Sequence, residues 1–213
     1  IVVFPEGREN APENFIEIPP IKGPVPMMIR NSLEYLRTNI IKERISKPVD
    51  DERSLKVFNY PFQALEEAVV NALYHRDYKE REPVEITIEP DRISILSYSG
   101  PDRSISMESL KEANMLRSRR YRNRRLGDFL KELDLTEGRA TGIPTIQKKL
   151  RENGSPKATI ETDESRSYFL IDIPARRDFV QDAEIAKESD IERIKLNMSK
   201  ICPRYVQDMS MNE

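Results

Sequence analysis

The stretch EEAVVNALYHRDY, Glu66–Tyr78, decides how the chain is read. Leu65, Ala68, Val69, Ala72 and Leu73 recur at i, i+3, i+4, i+7 and i+8, the spacing of a helix with one apolar face. Val70 widens that face. Such a helix belongs against a sheet. The remaining strip carries a carboxylate, Glu67, and an amide, Asn71, four residues apart, so that their Cβ atoms are about 5–6 Å from one another. Two oxygen-bearing side chains at that distance can share a water or a hard cation, and magnesium takes few protein oxygens together with water and phosphate. The plainer reading is that both are solvated, since polar i,i+4 pairs are common on helices. The only histidine, His75, reads as a helix-end residue favoured by the dipole, and Asp77 as a turn residue.

The elements on either side follow from the same kind of pattern. Downstream, VEITIE (84–89) and RISILS (92–97) alternate, with Val84, Ile86 and Ile88 on one face of the first and Ile93 and Ile95 on one face of the second. EPDR joins them as a hairpin. Short helices are predicted for MESLKEAN, capped by Ser106, and for 124–135, with Leu126, Phe129, Leu130 and Leu133 on one side. GRATGIP is a glycine loop, Thr145–Glu152 a helix ended by Asn153-Gly154, and ATIETDE with SYFLIDIP a second hairpin. Upstream, 27–46 reads as one amphipathic helix and SLKVFNY as a short strand, with Pro61 opening the central helix. Helices against one face of a mostly antiparallel sheet make an α+β fold.

Three segments are expected: 1–26, an extended entry from a preceding domain, with Pro5, Pro12, Pro19, Pro20 and Pro24 removing backbone donors; 27–175, the domain; and 176–213, a polar linker or helix leading to another domain. The start at Ile1, inside the run IVVF, reads as an excision from a longer protein.

Composition narrows the function. The 213 residues carry a formal net charge of −2 with 34% charged residues, so no global basic field argues for nucleic acid. The single cysteine, Cys202, excludes an intramolecular disulfide and a cysteine-based zinc cluster. It points to a reducing, cytoplasmic compartment. No apolar run reaches membrane-spanning length. One local exception is RSRRYRNRR (117–125), with six arginines in nine residues. Arg117, Arg119, Arg120, Arg122, Arg124 and Arg125 suit nucleotide phosphates or a nucleic-acid backbone with Tyr121 stacking on a base. They also suit a solvated stretch paired with Asp128 and Glu132.

Several ordered motifs together resemble one family. EAVVNALYHRDY looks like the EALVNAxxHRDY signature of the RecG-like helicase C-terminal family, ATPase-like domains of the GHKL type found in transcriptional regulators. RISILSYSG resembles its strand-plus-glycine segment, RNRRLGDFLKELDLTEGRATGIPTI its RNxxLAxxLxxLGLxExxGxGIPxI stretch, and NGSPKATIETDESRSYFLIDIP its closing hairpin. The resemblance spans roughly 27–175.

It implies a Bergerat-type two-layer α/β sandwich that binds ATP and Mg2+. Glu67 would be the general base and Asn71 the magnesium ligand. Gly100, Gly138, Thr141 and Gly142 would lie at the nucleotide, with the helix from Ile143 adding its N-terminal dipole. One departure stands out. The aspartate that reads adenine in the family's D-x-G-x-G box has no counterpart in Ser97-Tyr98-Ser99-Gly100-Pro101. The partners implied are DNA, through a flanking Schlafen/Alba-type domain or winged helix, and a second copy of the chain. The alternatives are a nucleotide-free interaction or dimerisation module, or direct nucleic-acid binding through the arginine cluster. A helicase motor is not expected, because no G-x-x-x-x-G-K-[ST] loop is present.

Overall fold

The computed structural model describes residues 1–46, 55–112, 122–136 and 142–181. Of the linker or helix expected at 176–213 they include only 176–181, where Arg177–Gln181 is helical; the rest lies outside them.

A row of isoleucines organises the sheet. Strands β5 (Glu85–Ile88), β6 (Arg92–Tyr98), β7 (Thr159–Glu161) and β8 (Tyr168–Pro174) pair antiparallel, placing Ile86 opposite Ile95, Ile88 opposite Ile93, Ile93 opposite Ile173 and Ile95 opposite Ile171. All are buried. Side chains alternate across a strand, so one face of the sheet is apolar while Arg92, Ser94 and Tyr98 stand on the other. The segment read as an extended entry adds β1 (Val2–Val3) and β2 (Ile16–Glu17), and β1 pairs parallel with β5. The six strands run in the order β2-β1-β5-β6-β8-β7, mostly antiparallel.

Helix α2 (Phe62–His75) lies on this sheet over β6, and α1 (Val25–Tyr35) and α5 (Gly142–Asn153) pack against it. Its apolar face is the predicted one: Leu65, Ala68, Val69, Val70, Ala72 and Leu73 are all buried. The result is an α+β fold with a helical layer on a mostly antiparallel sheet.

The helix expected over 27–46 stops early. After α1 a π-turn spans Leu36–Ile40, and Glu43–Ser46 forms β3, paired with β4 (Leu55–Phe58). The stop is tertiary. The Asn59 side chain accepts from the Lys42 amide at 2.7 Å and donates to the Ile40 carbonyl at 2.9 Å, closing the helix end from seventeen or more residues away. No local signal announces it.

Two short helices follow β6. In α3 (Met107–Glu112) Ser106 caps as expected, its Oγ accepting from the Ser109 amide at 3.1 Å. The stripe predicted on α4 (Arg124–Glu132) is corrected: Leu130 is fully buried, but Phe129 is 48% exposed. The helix is seated instead by Gly127. A Cβ there would lie 2.2 Å from Tyr74 Oη and 2.5 Å from Cζ, so α4 meets the end of α2 backbone to ring. Gly127→Ala is therefore expected to destabilise the fold by about 2 kcal/mol through overpacking, against the roughly 1 kcal/mol that alanine gains over glycine within a helix. Adding Tyr74→Leu is expected to recover most of that loss. Urea denaturation of the single and double variants checks both; a stabilised Gly127→Ala would refute the contact.

Candidate functional site

Two side-chain amides hold α5 in place. Asn153 pairs with both the carbonyl (2.7 Å) and the amide (3.1 Å) of Phe58 in β4. Gln147 does the same with Ala158, at 2.9 and 3.0 Å. Gly154, at φ +73°, ends the helix in the left-handed conformation suited to glycine. Buried Ile143, Ile146 and Leu150 then face the core, and the first turn of α5 comes to rest on the polar strip of α2.

There the pair predicted from spacing is made. Asn71 Nδ2 donates to Glu67 Oε1 at 3.2 Å, and both residues are half-buried. Gly142 backs directly onto them: a Cβ at this position would stand 2.3 Å from Asn71 Nδ2 and 2.8 Å from Glu67 Oε1. Only a residue without a side chain lets the start of α5 come so close. The helix opens with Gly142-Ile143-Pro144, where proline costs no intrahelical bond. Unpaired amides of a first turn favour anions. A carboxylate, a carboxamide and a helix N-terminus thus converge.

Glu67, Asn71 and Gly142 are brought together, although they come from two distant helices. Gly138 and Thr141 lie outside the described residues. Gly100 is engaged elsewhere: its amide donates to the Arg166 carbonyl at 2.9 Å, and a Cβ would meet that oxygen at 2.6 Å and the Tyr168 oxygen at 2.7 Å. Arg117, Arg119 and Arg120 also lie outside the described residues, while Arg124 and Arg125 are exposed on the first turn of α4.

Arg122 has a structural task that the sequence did not reveal. Its Nη1 donates to the His75 carbonyl at 2.7 Å, and its Nε stands 4.0 Å from Asp77 Oδ2. Asn123 Nδ2 donates to the carbonyls of Tyr74 (2.8 Å) and Arg76 (2.7 Å). Tyr78 Oη donates to the Leu73 carbonyl at 2.8 Å. Arg76 Nη2 donates to the carbonyls of Glu80 and Glu82, and its guanidinium lies 5.2 Å from the Tyr78 ring centroid. Asp77 turns the chain, as expected, by accepting from the Lys79 amide at 3.0 Å. The HRDY motif is thus a clasp at the end of α2. The signal available in the sequence was a run of polar donors directly after an apolar helix.

His75 ends α2 as expected, but not as a cation. Its ring packs on Tyr74, with centroids 4.6 Å apart. Loss of solvent around the ring, and then the Arg122 guanidinium, push its pKa down from 6.5 to about 4. The residue is otherwise exposed to solvent. The imidazole is neutral at pH 7, and the cation at the helix end is Arg122.

Among the described residues no cluster of three or more His, Cys, Asp or Glu side chains is placed to hold a metal. No described helix is long and apolar enough to cross a membrane.

Known proteins bear on this geometry. Residues 82–171 match the family model described as "Putative ATP-dependent DNA helicase recG C-terminal". Over those residues the chain resembles the RecG C-terminal family, an ATPase-like family. The matched segment includes Gly100, the arginine cluster and Gly142; Glu67 and Asn71 precede it. The crystal structure of the DIP2311 protein from Corynebacterium diphtheriae shares the fold over 72% of this chain, with a TM-score of 0.55 and 21% identity. The shared region is 29% of that longer chain. No curated protein matches.

Proposed function

We propose that this chain is a GHKL-like, ATP-binding regulatory module of a DNA-associated transcriptional regulator, with its nucleotide at the meeting point of α2 and α5. One observation carries the reading: Gly142 leaves no room for a Cβ beside Glu67 and Asn71. A glycine conserves space there for backbone to approach a carboxylate and an amide, the donor set that a magnesium–phosphate group requires. The match to an ATPase-like family supports it.

The residues fit the group in chemistry. Asn71 offers a hard carbonyl oxygen, and with no larger acidic cluster at hand among the described residues the cation would complete its shell with water and phosphate. When bound, magnesium would neutralise phosphate charge. Glu67 would accept a proton from an attacking water, and the amides at the start of α5 would hold phosphate oxygens. The loop carrying Gly100 has no carboxylate at the place of the family's adenine-reading aspartate. Base recognition is therefore expected to be weak, and binding to be dominated by phosphate. The arginine segment, with DNA-binding flanks, would supply the link to nucleic acid.

Calorimetry with a non-hydrolysable ATP analogue and magnesium tests the reading. Wild type is expected to release heat of binding. Asn71→Ala is expected to bind at least about tenfold more weakly, the equivalent of one lost hydrogen bond to a charged group. No heat from wild type at millimolar ligand would refute the proposal and favour a nucleotide-free interaction module.

A further inference from the structure

The carbonyls at a helix C-terminus have no partner inside the helix. At the end of α2 they are met from outside: Asn123 serves Tyr74 and Arg76, Arg122 serves His75, and Tyr78 serves Leu73. Two of those donors stand directly before α4, and at the start of α5 Gly142 meets α2 again, against Glu67 and Asn71. Helix α2 is thus held at two places, at its end by Arg122 and Asn123 and on its polar strip by Gly142. The two grips are mechanically close. In a regular helix the His75 amide bonds to the Asn71 carbonyl, so the turn closed by Asn123 is the turn that carries Asn71. Gly127, pressed against the Tyr74 ring, keeps α4 from sliding along the helix end.

We infer that Asn123 is a tether that couples the entry to α4 to the Glu67–Asn71 pair through the last turn of α2. Its hold on the last turn of α2 sets how that pair meets Gly142. The coupling is reciprocal: whatever draws Arg122 and Asn123 off the helix end loosens the pair, and whatever occupies the pair tightens the cap. The Arg122 side chain, 37% exposed, is accessible to such an influence. This device does not depend on the identity of a ligand.

The test is carried out on the full chain without nucleotide. Wild type, Asn123→Ala and Arg124→Ala are compared by amide hydrogen exchange and by the NMR signals of the Asn71 side-chain amide. Asn123→Ala is expected to speed exchange at Tyr74 and His75 at least tenfold and to shift the Asn71 side-chain signals. Arg124→Ala, on the exposed first turn of α4, is expected to change neither. Faster exchange at the helix end with an unmoved Asn71 signal would reduce Asn123 to a local cap and overturn the inference. An equal shift from Arg124→Ala would overturn it too. If Asn123→Ala does not fold, Arg122→Ala, which removes the bond to the His75 carbonyl and the contact with Asp77 while leaving the Asn123 bonds, is expected to give a smaller change in the same direction, and its absence would be decisive. Because no ligand enters these measurements, failure of nucleotide binding and failure of the coupling are separable.

Discussion

Gly142→Ala is expected to cost at least about tenfold in magnesium-dependent affinity for an ATP analogue while leaving the fold intact. The new methyl would fall 2.3 Å from Asn71 Nδ2 and 2.8 Å from Glu67 Oε1. Both atoms are the ends of side chains on α2, so they can rotate away. The backbone need not move, and stability is expected to change by less than about 1 kcal/mol, since alanine's helix propensity offsets part of the strain. What is lost is alignment: the 3.2 Å bond between the two side chains breaks, and both swing away from the first turn of α5. Loss of aligned hydrogen bonds to a charged group is worth about 1.5–3 kcal/mol, or one to two orders of magnitude in affinity. Thermal melting together with calorimetry separates the two effects. Undiminished binding in a folded Gly142→Ala protein would show that the ligand does not use this junction.

Gly100→Ala is expected to do the opposite and damage the fold itself. Its Cβ would stand 2.6 Å from the Arg166 oxygen, 2.7 Å from the Tyr168 oxygen and 2.8 Å from the Arg166 carbonyl carbon. These are backbone atoms at the start of β8 and the turn before it, and they cannot rotate aside. To make room the chain must part the end of β6 from β8, losing the 2.9 Å bond from the Gly100 amide to the Arg166 carbonyl. Overpacking against rigid neighbours plus a lost buried hydrogen bond costs about 3 kcal/mol. For a domain of this size that lowers the melting temperature by about 10 °C. A melt within about 2 °C of wild type would mean that the loop relaxes freely, and the structural role given to Gly100 would fall.

The contrast between these glycines shows where reading a sequence stops. Both stand in motifs that suggest phosphate contact, yet one backs onto mobile side chains and the other onto a strand. Nothing within a few residues of either tells them apart. The same holds for Phe129, which keeps helical spacing with Leu126 and Leu130 but stands half in solvent, because the seat of α4 is set by Gly127 against Tyr74. It holds also for Arg122. In sequence it is one of six arginines; in the fold it caps a helix forty-seven residues away.

From the sequence alone came the apolar face of α2, the period-two strands packed beneath it, and the spacing that puts Glu67 beside Asn71. All are properties of a repeat only a few residues long, because helix and strand geometry is local. The tertiary structure alone decided that Gly142 closes on that pair, that Asn59 ends the first helix and that Arg122 and Asn123 end the second. Each joins groups far apart in the chain, and their approach depends on how the sheet and the helices pack, which no local period encodes.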